Sequence, residues 1–120
     1  MHQTVPDLPR LEGLLTLAGP MGAADLLARL EEDLTRAQTD LETAFANRNV
    51  AALRAVTHVL ISVAGALGAE PLTSQARALN EAAKGATWPT DLPVSATDAL
   101  RDLAAVIGVL RRRSANGGRG

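Results

Sequence analysis

The sequence predicts an all-α protein, an up-down-up-down antiparallel four-helix bundle with a short extra N-terminal helix. Three observations predict it. Hydrophobic residues make up 47% of the chain but aromatics only 2%, so the interior is built from Leu, Ala, Val and Ile. That palette suits helices better than sheets, which favour β-branched and aromatic residues. Four segments carry apolar residues at alternating spacings of three and four, the one-sided stripe of a packed helix. Most links between these segments are short, and short links favour antiparallel neighbours. A chain of 120 residues holds one such core and not two.

The elements follow in order. Pro6 and Pro9 open the chain, and Leu8 to Leu17 is expected to form the short first helix, which Gly19-Pro20-Met21-Gly22 breaks. Ala23 to Ala46 is the first long helix, with Leu27, Leu30, Leu34, Ala37, Leu41 and Ala44 as its stripe. Asn47-Arg48-Asn49 is a tight turn with Asn49 placed to cap the next helix. That helix runs from Val50 to Leu67 on Leu53, Val56, Leu60, Val63 and Leu67, and Gly68 suits the left-handed position after it. Pro71 fits a first turn, so a helix is expected over Glu70 to Lys84, closed by Gly85. Ala86 to Val94 is a loop, and Ser95 caps a last helix over Ala96 to Arg112. The domain plan is thus a flexible N-terminus over 1–8, the bundle over 9–112 and a disordered tail over 113–120.

Composition narrows the function. With 12 basic and 13 acidic residues the formal charge is −1, which gives no electrostatic reason to expect nucleic acid or an anionic membrane as partner. Without cysteine, disulfides and thiolate metal sites are excluded, and two histidines, one of them His2 near the terminus, support no metal cluster. Met1-His2-Gln3-Thr4 lacks the basic segment and apolar run of a secretory signal. Charges are expected to interrupt every apolar run before it reaches membrane-spanning length, so the default location is cytoplasmic. There is no Gly-rich phosphate loop, hence no expectation of ATP-dependent self-phosphorylation.

One residue stands out. On a wheel of about 100° per residue, His58 lies roughly 180° from the stripe of the Val50–Leu67 helix, so it is expected to point away from the core. Around it fall Ala51, Arg54, Ala55, Ile61, Ser62 and Gly65. A solvated face ordinarily carries several Lys and Glu; this one is flat, mildly apolar and weakly charged, the character of a docking surface. Another reading stays open. Ala51, Ala55 and Gly65 are also small where a further element, such as the N-terminal helix, covers them, and His58 is then partly buried and structural.

The segment Thr57-His58-Val59-Leu60-Ile61-Ser62-Val63-Ala64-Gly65-Ala66-Leu67-Gly68-Ala69 resembles the signature of histidine-phosphotransfer (HPt) domains. That pattern runs alanine-like residue, His, any residue, Leu, Lys, Gly, Ser, Ala, three residues, Gly-Ala. His58, Leu60, Ala64, Gly68 and Ala69 match in register. Leu34 to Val56 resembles the preceding helix and turn, and Leu72 and Leu79 the following helix. Three positions depart: Ile61 stands for the Lys, Ser62 for the Gly and Val63 for the Ser.

The resemblance implies a phosphorelay carrier of a two-component system. His58 would accept a phosphoryl group from, and return it to, aspartates of response-regulator receiver domains, upstream of which stands a hybrid sensor histidine kinase. No cofactor of its own is implied, since the receiver supplies Mg²⁺, and a monomer is expected. Imidazole is largely neutral at physiological pH and is then a good nucleophile; phosphoryl transfer asks mainly for in-line approach and charge neutralisation. Arg54, one turn before His58, is expected to replace the missing Lys, Ser62 to hydrogen-bond a phosphoryl oxygen, and Asn80 to orient the imidazole from the next helix. Ala51, Ala55, Ile61 and Gly65 form the expected docking face. Two alternatives remain: a non-catalytic adaptor that binds a kinase or receiver by the same face, and an unrelated helical scaffold or dimerisation module.

Overall fold

The computed structural model describes residues 6–117. Among them there are four helices and no strand: α1 (Leu11–Asn47), α2 (Val50–Leu67), α3 (Glu70–Ala82) and α4 (Ala96–Gly117). The first five residues of the expected flexible N-terminus, and the last three of the expected tail, lie outside the described residues.

The expected short first helix and first long helix follow one another directly within α1, as two helical stretches that meet at a kink at Gly19. Only Gly19 leaves helical geometry, at φ 81° and ψ 169°, and Pro20-Met21-Gly22 are helical. The physical reason is local. A residue before proline is pushed out of the α region, glycine alone takes a positive φ without penalty, and Pro20 then begins the next helical stretch, where its missing N–H is no loss. Helix formation also starts at Leu11 rather than Leu8, whose carbonyl instead accepts from the Leu11 N–H at 3.1 Å.

The turn from α1 to α2 puts Arg48 in left-handed geometry (φ 51°). The Asn49 N–H reaches back to the Ala44 carbonyl at 3.1 Å, and the Asn49 side chain accepts from the Ala52 N–H at 3.0 Å, capping α2. Gly68 ends α2 at φ 76°. It is required twice, because a Cβ there would also lie 2.8 Å from Pro9 Cγ. The N-terminal strap is held at this point by Arg10 N–H donating to the Leu67 carbonyl at 3.2 Å.

Helix α3 opens with Pro71 in its first turn and stops at Ala82, short of Lys84. The carbonyls of Ala83 and Gly85 are taken by a side chain of α2, which holds the chain in its exit path. Helix α4 is capped by Ser95, whose hydroxyl accepts from the Asp98 N–H at 3.0 Å. It runs to Gly117 rather than ending at Arg112, so residues 113–117 of the expected tail are helical. Nothing in Arg113-Ser114-Ala115-Asn116 breaks a helix, and Arg111 and Arg113 tie these turns to α1. Arg111 Nε donates to Glu31 at 2.7 Å, and Arg113 donates to both carboxylate oxygens of Glu12 at 2.7 and 3.1 Å.

The core is aliphatic. Leu34 and Leu41 of α1, Leu53, Leu60 and Leu67 of α2, Leu72 and Leu79 of α3, and Leu103 and Leu110 of α4 are fully enclosed. Each such leucine contributes roughly 1.5–3 kcal/mol through burial. Helix α2 packs against both α1 and α3, while α4 packs mainly against α1. Phe45 and Trp88 meet edge to face with ring centroids 5.8 Å apart, pinning the α3–α4 loop to the end of α1.

Candidate functional site

The buried positions of α2 are Leu53, Val56, Thr57, Leu60, Ala64 and Leu67. Relative to the stripe of the sequence, Val63 is only half-buried, and Thr57 and Ala64 are buried. On a wheel this inner set still leaves His58 roughly 150° from its centre, and His58 is exposed. Ala51, Ala55 and Ser62 are exposed with it. Gly65 is half-buried, yet a Cβ built on it meets nothing within 4 Å, so no neighbouring element covers that part of the face. Val59, 42% exposed, adds an apolar side chain beside His58. Helix α2 contains no acidic residue, so nothing on it repels an incoming anion.

Three expected members of the site behave differently. Ile61 is half-buried and packs against the hydrophobic core, so it is less a docking residue than a core residue at the edge of the face. Asn80 makes no hydrogen bond to the imidazole. Its Nδ2 donates to Thr57 Oγ1 at 3.0 Å and to the Arg54 carbonyl at 3.2 Å. Arg54 is exposed at one turn from His58, but its guanidinium is engaged: Nε donates to the Ala83 carbonyl at 3.1 Å and a terminal nitrogen to the Gly85 carbonyl at 3.4 Å. The two bond in opposite directions across the same contact: Arg54 of α2 satisfies carbonyls left without helical partners at the end of α3, while Asn80 of α3 donates to the Thr57 hydroxyl and the Arg54 carbonyl on α2.

Arg54, Thr57 and Asn80 therefore form a polar clasp between α2 and α3. Thr57, which the sequence shows only as the residue before the histidine, is its buried centre. The hydroxyl donates back to the Leu53 carbonyl at 2.7 Å and accepts from Asn80. Its position four residues after Leu53 and three before Leu60 is the signal that places it inward. The clasp fixes the rotation of α2 and hence the direction in which His58 points.

Helix α2 corrects one further expectation. Its 18 residues have a mean hydropathy of 1.8, with Arg54 as the one Lys, Arg, Asp or Glu, so by length and composition it is apolar enough to cross a membrane. Charges do not interrupt this run; its leucines instead face the core. Against family models, curated proteins and solved structures alike, the chain finds no match.

Proposed function

We propose that the chain is a cytoplasmic phosphorelay carrier that accepts a phosphoryl group on His58 from receiver-domain aspartates and passes it on. The observation that carries this reading is the exposed His58 among the small side chains Ala51, Ala55 and Ser62, on a helix that itself carries no acidic residue and is held rigid by the clasp to α3. In the reaction a ring nitrogen attacks the phosphorus of an aspartyl phosphate. The N–P bond forms as the P–O bond to the carboxylate breaks, the electron pair leaves with the carboxylate, and the ring proton passes to water. The receiver brings Mg²⁺; this chain brings a fixed imidazole and a surface flat enough for close approach. A monomer with a hybrid sensor kinase upstream completes the proposal.

An up-down-up-down antiparallel bundle, with residues 11–18 as a short extra helix ahead of it, belongs to the same reading. It is supported by the bond from the start of α2 at Arg54 to the end of α3 at Ala83, and by Phe45 at the end of α1 meeting Trp88 ahead of α4.

The engagement of Arg54, together with Ile61 at the place of the family's lysine, favours a second reading. An adaptor of this shape would bind a receiver or kinase without accepting phosphate. Mixing the protein with a phosphorylated receiver separates the two. Acid-labile phosphate that appears on the wild type and is absent from His58→Gln supports the carrier. Receiver binding without transfer supports the adaptor, and transfer that persists in His58→Gln overturns the assignment of His58.

A further inference from the structure

We propose that Arg54 links the phosphorylation state of His58 to the α3–α4 loop, releasing that loop when the histidine is phosphorylated. The inference rests on the carrier reading and concerns the same site.

Arg54 and His58 are four residues apart on α2 and both exposed, the spacing at which helical side chains reach each other. In the unmodified protein the guanidinium is bound to the Ala83 and Gly85 carbonyls at 3.1 and 3.4 Å. These are two neutral acceptors, and the second bond is long. A phosphoryl group on the imidazole adds up to two negative charges and three acceptor oxygens within one turn of the same guanidinium. Arginine binds phosphate through paired, charge-assisted hydrogen bonds that are roughly twice as strong as neutral ones. The guanidinium thus has one partner before phosphorylation and a stronger one after it, and it serves only one at a time. Lys84, just past the end of α3, is paired with Glu81 at 2.9 Å.

What Arg54 leaves behind is the exit from α3. The carbonyls of Ala83 and Gly85 lose their side-chain partner, and the packing of Trp88 against Phe45, three residues on from Gly85, loses the brace beside it. Asn80 is unaffected, because it binds the Arg54 carbonyl rather than the side chain. The α2–α3 pair therefore stays together while the loop beyond it loosens. The site already contains the group that resists this change and the group that triggers it.

Trp88 is the single tryptophan of the chain and lies in this loop, so its emission reports the change. Phosphoramidate phosphorylates histidine directly: the imidazole nitrogen attacks phosphorus, the P–N bond of the reagent breaks, and ammonia leaves with the proton. The full chain is treated with it, and phosphate at position 58 is counted by mass. Expected are a red shift of Trp88 emission and stronger quenching by acrylamide in the wild type and in Lys84→Gln. His58→Gln, which leaves His2 to react, shows neither. Arg54→Gln shows the shifted emission before treatment and no further change after it, with helix content by circular dichroism retained. A phosphorylated His58 with unchanged Trp88 emission overturns this inference and leaves the carrier reading standing. A His58 that phosphoramidate does not modify overturns both. Loop release by phosphoramidate with no transfer from a receiver overturns the carrier reading alone.

Discussion

Gly65 and Gly68 lie three residues apart near the end of α2 and answer substitution in opposite directions. Gly65 is helical and its missing Cβ would enter open space, so Gly65→Ala is expected to raise stability by about 0.5–1 kcal/mol through reduced chain entropy. Gly68 sits at φ 76° with Pro9 Cγ 2.8 Å from a built Cβ, so Gly68→Ala is expected to cost about 1–3 kcal/mol in strain and displaced packing. Urea denaturation of the two variants checks both signs. The clasp gives a second test. Thr57→Val and Asn80→Ala each remove one side of the 3.0 Å bond between them, at an expected cost of about 1–2 kcal/mol each. In a double-mutant cycle the pair should fall short of additivity by about 0.5–1.5 kcal/mol. Full additivity would mean the two groups do not act together. At this scale the sequence was least informative. His58 is legible as an outward residue from periodicity alone. The partners of Arg54 and Asn80 are not, because Ala83 and Gly85 come within reach of Arg54 only once α2 and α3 have docked across 29 and 31 residues of chain.

At the scale of the element, α2 is the most legible part of the chain and, in the proposed reading, the part with two uses. Its bounds, its Asn49 cap and its Gly68 terminus follow from local chemistry that needs no tertiary contact. Its two faces should respond separately. Leu60→Ala opens the interior where the side chain is 1% exposed, with an expected cost of about 2–5 kcal/mol. Ala55→Glu on the outer face should change stability by less than about 0.5 kcal/mol yet weaken receiver binding, since it adds bulk and negative charge beside His58. Thermal melts and a receiver-binding titration of the same two proteins separate these effects. An Ala55→Glu variant that binds receiver as the wild type does would move the docking surface elsewhere. Other elements were harder to delimit. The Gly-Pro-Met-Gly run contains three residues that commonly interrupt helices, yet Gly19 alone absorbs the interruption. The end of α4 depends on carboxylates of α1, at Glu12 and Glu31, which lie 101 and 80 residues away from their arginines.

For the whole molecule, those two ion pairs tie α4 to α1, and the Glu12–Arg113 pair gives the fold a pH dependence of known sign. The carboxyl of Glu12 is held below the usual glutamate range, chiefly by the hydrogen bond from Arg113, with the arginine's charge adding to it and partial desolvation opposing. A carboxyl with a depressed folded-state pKa stabilises the fold above its unfolded pKa and loses that contribution as pH falls through the folded value. The stability difference between wild type and Glu12→Gln is therefore expected to be largest near neutral pH and to close on acidification. Because both side chains face water, it should also shrink with added salt. Urea midpoints at several pH values and two salt concentrations check this. A gap independent of pH would remove the ion pair from the stability of the bundle. The architecture as a whole, an aliphatic core under four helices, was legible because every helix repeats its stripe. How α4 closes onto α1 was not, since side-chain pairing at long range leaves no periodic trace.

The most direct measurement is to incubate the protein with an aspartyl-phosphorylated receiver and Mg²⁺ and to locate the phosphate by mass spectrometry under alkaline conditions that preserve phosphohistidine. The expected result is a single acid-labile phosphate on His58, lost in His58→Gln and retained in Asn80→Ala. Phosphate on any other residue, or none on His58 while the receiver binds, would contradict it.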